Sequence, residues 1–163
     1  MLKQLIDDSA VYTLNPSSPP SSPPPMTELE FWTALVQDYD RVVHRLPTLT
    51  MNKIKHGVPP PLRGVVWVSM VGARDEDLAK DFEKLVLEPS PYENLIGKDV
   101  GRSFPGVEMF KDPNGQGQKA LGRVLKSFSL YDKEIGYCQG LGFLVGPLLM
   151  HMGDRDAFCV LVK

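Results

Sequence analysis

The sequence has few cysteines, little net charge and no long apolar run, and each shortage argues against a class of protein. Only two cysteines occur in 163 residues, which is too few for a disulfide scaffold and fits a reducing compartment. A formal net charge of −2 argues against a nucleic-acid-binding protein. The longest apolar stretch, Leu141 to Met152, is shorter than the roughly 18–20 residues of a transmembrane helix. No secretory signal opens the chain, so we expect a soluble, cytoplasmic protein.

The common catalytic motifs are also missing. The sequence has no GxxxxGK[ST] loop for binding a nucleotide directly. The three histidines, His44, His56 and His151, lie in separate segments without the spacing of metal ligands, so we expect no metal site. Cys138 and His151 are a conceivable thiol–imidazole pair, but a lone cysteine in a helical context is more often a small core residue.

Proline is the residue in excess, and it is concentrated near the N-terminus. Six of the 15 prolines lie between Pro16 and Pro25, separated by serines. Such a segment cannot bury apolar surface, which predicts a disordered or polyproline-II tail over residues 1–26. Two PxxP spacings, Pro16/Pro19 and Pro20/Pro23, raise the alternative of an SH3-type partner. A flexible tail is the interpretation that we favour.

Beyond the tail, apolar residues recur at helical spacing without convincing period-two alternation, which predicts an all-α fold. Thr27 and Glu30 have the form of a capping box, which predicts that a helix begins there and continues to Leu46, where Pro47 stops it. We assign residues 27–53 to an N-terminal helix that leads into the main domain.

The same spacing predicts helices over residues 62–71, 75–87, 118–131 and 156–163. The Gly- and Pro-rich stretch Ile96–Gly117 predicts a connection between helices. Residues 139–152 are apolar on nearly every side, which predicts a buried helix. Gly140, Gly142 and Gly146 do not fit a dinucleotide-binding fingerprint and are better explained by close helix packing.

One charged pair stands out inside the predicted connection. Asp99 and Arg102 are three residues apart, so on a helical turn the carboxylate can hold the guanidinium in one orientation. The alternative is a surface ion pair of little consequence, and spacing alone favours that alternative.

Residues 54–163 resemble the N-terminal half of a TBC domain, the fold of Rab GTPase-activating proteins, and are most similar to fungal members. Each matching motif is weak alone, but their order and spacing together are specific. The matching stretches are Gly57-Val58-Pro59, Leu62-Arg63-Gly64 with Trp67, Ile96-x-x-Asp99-x-x-Arg102, Phe104-Pro105, Gly117-Gln118, Tyr131-Asp132 and Tyr137-x-Gln139-Gly140. The resemblance implies an irregular helical array of which this chain carries the N-terminal portion, as a fragment or a truncated gene product.

The resemblance also implies roles for four residues. Arg102 of the IxxDxxR motif is expected to be an arginine finger, and Gln139 of the YxQ motif a second, glutamine finger. Both are delivered in trans to a GTPase. Asp99 is expected to orient Arg102, and Tyr137 to support Gln139 or to contact the GTPase.

The implied partner is a Rab-family small GTPase in its GTP-bound state. GTP and magnesium would be carried by that partner, so we expect no cofactor of the chain's own and a GTPase activator rather than an enzyme in its own right. Such a protein acts in vesicle-mediated transport, in the cytoplasm or peripherally on vesicle, Golgi or plasma membranes through its partners. The alternative is a non-catalytic GTPase-binding or scaffold module, or an inactive truncated fragment.

Overall fold

The computed structural model describes residues 26–163, and all regular secondary structure in that range is helical, as predicted. The described residues divide into two compact units, with the boundary between Pro61 and Leu62. Residues 1–25 lie outside the described range. The disordered tail and its SH3-type partner therefore stay predictions.

The described part of the first unit contains three short helices, α1 (Glu28–Gln37), α2 (Tyr39–Arg45) and α3 (Pro47–His56). The predicted capping box is present at the start of α1. Thr27 Oγ1 accepts a hydrogen bond from the Glu30 N–H at 3.2 Å, and the Glu30 carboxylate accepts one from the Thr27 N–H at 2.9 Å. Phe31, Trp32 and Leu35 of α1 are buried.

The single helix predicted from Thr27 to Leu46 is wrong, and so is the assignment of 27–53 to one helix. Asp38 ends α1 and begins α2, because its backbone leaves helical geometry and its carboxylate accepts the Arg41 N–H at 3.1 Å. Pro47 does follow the end of a helix, but it is also the first residue of α3. Its fixed φ and missing N–H suit that position.

The second unit contains a short 3-10 helix, Glu108–Phe110, and six α-helices: α4 (Arg63–Met70), α5 (Glu76–Leu85), α6 (Glu93–Ser103), α7 (Gln116–Tyr131), α8 (Gly142–Leu149) and α9 (Asp154–Val162). The longest of them, α7, packs against α5, α6, α8 and α9 and so forms the centre of the unit. Leu121, Val124 and Leu125 of α7 are fully buried. Burial of this apolar stripe stabilises the array more than helix propensity does.

The connection predicted over Ile96–Gly117 begins later than expected, because Glu93–Ser103 forms α6. Two glycines disfavour helix here by roughly 1 kcal/mol each relative to alanine. Both Gly97 and Gly101 face solvent, whereas Ile96 and Val100 are buried in the core of the unit. Packing of the apolar side of α6 against α7 therefore overrides the local preference.

The last apolar helix is shorter and less buried than predicted. Helix α8 covers only Gly142–Leu149, and the residues on either side form turns. Val145 and Leu149 are buried, but Phe143 and Leu144 are 60% and 61% exposed. Sequence hydrophobicity alone does not distinguish these two sides of α8, because both are apolar.

The close helix packing predicted for three glycines is confirmed at Gly142 and Gly146 and is wrong at Gly140. A Cβ added to Gly142 would lie 3.1 Å from Ser103 Oγ, and one added to Gly146 only 2.2 Å from the Phe104 ring. Gly140 has no such neighbour, and its φ of +103° instead places it in a turn. Helix α8 therefore rests directly on the C-terminal end of α6.

Candidate functional site

The pair singled out in the sequence lies at the C-terminal end of α6. The Asp99 Oδ1 atom accepts hydrogen bonds from Arg102 Nε at 3.0 Å and from Arg102 Nη2 at 2.5 Å. The Asp99 side chain is 11% exposed and the Arg102 side chain 62%. A nearly buried carboxylate thus anchors a guanidinium whose outer edge is open to solvent. That difference in burial sets the pair apart from an ordinary surface ion pair.

Tyr137 joins this pair from a segment 38 residues further along the chain. Its hydroxyl donates a hydrogen bond of 2.6 Å to Asp99 Oδ2, the oxygen that Arg102 leaves free. Ser103 Oγ donates to the backbone carbonyl of Asp99, also at 2.6 Å. Both carboxylate oxygens of Asp99 therefore have partners, as a buried charge requires.

These contacts determine the protonation states of Asp99 and Tyr137. The hydrogen bond from Tyr137 lowers the pKa of Asp99 below its ordinary 3.8, and Arg102 lowers it further, although burial opposes both effects. Burial raises the pKa of Tyr137 above 10.0, and the hydrogen bond to Asp99 adds to that rise. At neutral pH Asp99 is therefore an ionised acceptor and Tyr137 a protonated donor.

A tight turn presents the segment that carries Tyr137 and Gln139. The Asp132 carboxylate accepts the N–H groups of Glu134 and Ile135 at 3.1 and 2.9 Å. Gly136 follows with a φ of +59°, and a Cβ there would lie 2.5 Å from the Tyr92 hydroxyl oxygen. Only glycine fits this turn without strain and without displacing the Tyr92 ring.

Gln139 lies two residues beyond Tyr137, exposed, in the turn that precedes α8. Three of the four predicted site residues, Asp99, Arg102 and Tyr137, are therefore directly linked by hydrogen bonds. Gln139 is joined to them through the short chain from Tyr137 and through the packing of α8 on α6.

One supporting residue of this site, Tyr92, belongs to none of the motifs recognised in the sequence. Tyr92 lies just before α6, and its ring is 6.4 Å from that of Tyr137. No motif marked Tyr92, and its contact depends on how α6 meets the turn at Gly136.

The other candidates do not form a second site. Cys138 is exposed, with its Sγ 3.6 Å from the Gln139 carbonyl, whereas the His151 ring packs edge-on against Trp67. Among the described residues, no cluster of three or more His, Cys, Asp or Glu side chains could hold a metal ion. No helix within residues 26–163 has the length and apolar character to cross a membrane.

Comparison with known proteins identifies the family of the chain. Residues 60–163 match the family model described as Rab-GTPase-TBC domain. Over 132 residues the chain is 39% identical to the Ecotropic viral integration site 5 ortholog of Drosophila melanogaster. The aligned region makes up 81% of this chain and 16% of that protein. Over 140 residues the chain is 39% identical to Rab GTPase-activating protein tbc-11 of Caenorhabditis elegans. This second aligned region makes up 83% of this chain and 15% of that protein.

A solved structure supports the same assignment. The crystal structure of the Chlamydomonas flagellar RabGAP TBC domain superposes with a TM-score of 0.62 at 26% identity, over 81% of this chain and 49% of that chain. The chain thus spans about half of that solved domain and about one sixth of the two curated relatives.

Proposed function

Because this chain belongs to the Rab-GTPase-TBC domain family, we propose that its protein accelerates GTP hydrolysis by a Rab-family GTPase in vesicle trafficking. The observation that carries the proposal is the exposed guanidinium of Arg102 on the buried carboxylate of Asp99. A surface arginine spends most of its time solvated in many rotamers. An arginine held at its base can reach a partner at a smaller entropic cost.

Arg102 retains donors for a phosphate after it has bound Asp99. A guanidinium has five N–H groups, and Asp99 takes one from Nε and one from Nη2. The remaining N–H groups point away from the carboxylate and would neutralise charge that develops on the transferring phosphoryl group. Because the guanidinium is planar and always charged, it can contact two oxygens at once.

Gln139 is proposed as the second finger. A carboxamide both donates and accepts hydrogen bonds, so it can hold the attacking water and a backbone group of the GTPase together. Its exposed position before α8 leaves the side chain accessible to a partner. In this proposal GTP and magnesium belong to the GTPase, and the chain supplies side chains and no cofactor.

The test is single-turnover phosphate release from a panel of GTP-loaded Rab GTPases, with saturating full-length protein so that binding and chemistry are separated. Arg102→Ala should lose on the order of 10³-fold or more of the acceleration, as is typical of arginine fingers. Arg102→Lys should recover little, because an ammonium group cannot reproduce the planar two-point contact. Gln139→Ala should be severely impaired.

Arg155→Ala is the matched control, because Arg155 is 57% exposed, similar to Arg102, and lies on α9. It should keep the wild-type rate. Acceleration by Arg102→Ala equal to that of the wild type would refute the role of Arg102. Tight binding of a GTP-loaded Rab without any acceleration by the wild type would instead favour the non-catalytic module.

A further inference from the structure

The carboxylate of Asp99 has two oxygens with different partners, and this division sets its orientation. Oδ1 accepts both hydrogen bonds from Arg102, and Oδ2 accepts the one from Tyr137. The terminal torsion of an aspartate is soft, so the covalent structure does not fix the angle at which the carboxylate meets the guanidinium. The hydrogen bond from the Tyr137 hydroxyl fixes this angle by holding Oδ2.

Loss of this hydroxyl would change how Arg102 is held. Oδ2 would lose its partner at a nearly buried carboxylate, which is unfavourable. The carboxylate could then rotate and take Nε and Nη2 of Arg102 on separate oxygens, in the fork geometry that this pair otherwise favours. This rotation of the carboxylate would turn the plane of the guanidinium and move its outward N–H groups.

The Tyr137 ring is held independently of its hydroxyl. It packs beside Tyr92, and the turn at Gly136 fixes the backbone just before it. Removing the oxygen alone should therefore leave the segment in place. No hydrogen bond joins the Tyr137 hydroxyl to Gln139; the hydroxyl bonds to Asp99.

We propose that Tyr137 is a positioning residue for Arg102 that acts through Asp99, so that the two motif segments form one unit. This inference rests on the proposed GTPase-activating function. It differs from a role in which Tyr137 supports Gln139 or contacts the GTPase itself, and the two roles make different predictions.

The first test is Tyr137→Phe, which keeps the ring and removes the hydroxyl. In the single-turnover assay its maximal rate should fall about tenfold, the scale of one hydrogen bond to a charged group. The concentration that gives half-maximal rate should stay the same, because a positioning residue does not contact the GTPase. Tyr131→Phe is the control, because Tyr131 lies on α7 with its ring against Phe158. It should keep the wild-type rate.

Double mutants then identify the residue through which Tyr137 acts. Tyr137→Phe should cause no further loss in an Asp99→Ala background, because the link to Arg102 is already broken. It should cause its full tenfold loss in a Gln139→Ala background. A Tyr137→Phe rate equal to wild type, a full loss in the Asp99→Ala background, or no loss in the Gln139→Ala background would each overturn the proposal.

A measurement without a GTPase separates this inference from the proposed function. The side-chain ¹H–¹⁵N resonance of Arg102 Nε reports its hydrogen bond to Asp99, and it should shift in Tyr137→Phe while the backbone amides of α7 do not. An unchanged Nε resonance would overturn the proposal even if every Rab assay were negative. Failure of the wild type to accelerate any Rab, together with the expected shift, would refute only the proposed function.

Discussion

The contact between α8 and α6 offers a sharp test of how the site is assembled, through the substitution Gly146→Ala. A Cβ at this position would lie 2.2 Å from Cζ of Phe104, whereas ordinary contacts begin at 3.4 Å. The two groups must therefore separate by about 1.2 Å. The Phe104 ring cannot simply swing aside, because it stacks on Phe110 at 4.9 Å and meets Phe143 edge-on at 5.6 Å.

The size of the destabilisation expected for Gly146→Ala follows from this clash. Overpacking typically costs about 1–3 kcal/mol, and the helical conformation of a residue before proline adds to that cost when a Cβ is present. Alanine offsets at most about 1 kcal/mol through its better helix propensity. We expect Gly146→Ala to lower the thermal unfolding midpoint by roughly 2–8 °C.

The same substitution should damage activity. Helix α8 follows the segment that bears Gln139, and Arg102 lies in the last turn of α6, so a shift between the helices separates the two proposed fingers. A displacement of about 1 Å at a catalytic group can cost about 10²-fold in rate. Phe104→Leu, added to Gly146→Ala, should restore part of both stability and activity because it removes the ring atoms that clash.

Gly122→Ala on α7 is the matched control for a glycine in a helix, because a Cβ there meets nothing within 4 Å. It should raise stability by up to about 1 kcal/mol and leave the rate unchanged. If Gly146→Ala behaves like Gly122→Ala in both the unfolding and the phosphate-release assays, the packing of α8 on α6 is not as described.

The remaining predictions concern the core, the acid dependence and the two thiols. Leu121→Ala should destabilise the protein by about 2–5 kcal/mol in urea unfolding, whereas Leu87→Ala, at a residue 83% exposed, should change stability by less than about 0.5 kcal/mol. The difference in unfolding free energy between wild type and Asp99→Asn should be constant above pH 5 and should shrink as the pH falls below 3.8. The reason is that the pKa of Asp99 is lowered in the folded state, so this carboxylate stabilises the fold only while it is ionised. A difference independent of pH would contradict this prediction. Under native conditions a thiol reagent should modify the exposed Cys138 rapidly and Cys159 only on unfolding. Cys159 is protected because it is 2% exposed and because burial raises the pKa of its thiol. Equal rates of modification would contradict the fold around α9.

Local chemistry in the sequence determined where several elements begin and which residues to consider. The side chain of Thr27 caps α1 because its hydroxyl reaches the Glu30 N–H three residues ahead, a contact within a single turn of the chain. The apolar spacing of α7 likewise identifies its buried stripe. The motif containing Asp99 and Arg102 was also visible, because both residues lie within one helical turn.

The sequence was less informative where local and distant interactions disagree. Residues 93–103 contain two glycines and looked like a connection, yet α6 forms because its apolar side packs on α7. The periodicity of the first helices runs on through Asp38, but the carboxylate of Asp38 binds the Arg41 N–H and divides them. The exposed side of α8 was also unpredictable, because Phe143 and Val145 are both apolar.

The sequence by itself therefore determined the helical class, the capping box at Thr27, the central helix and the identity of the four candidate residues. Only the tertiary structure decided how those residues are arranged. The bond between Tyr137 and Asp99 joins positions 38 residues apart, and it exists because the turn at Gly136 and the packing of α8 on α6 bring two segments together. Hydrogen bonds act over about 3 Å, so a pattern along the chain can propose such partners but cannot place them.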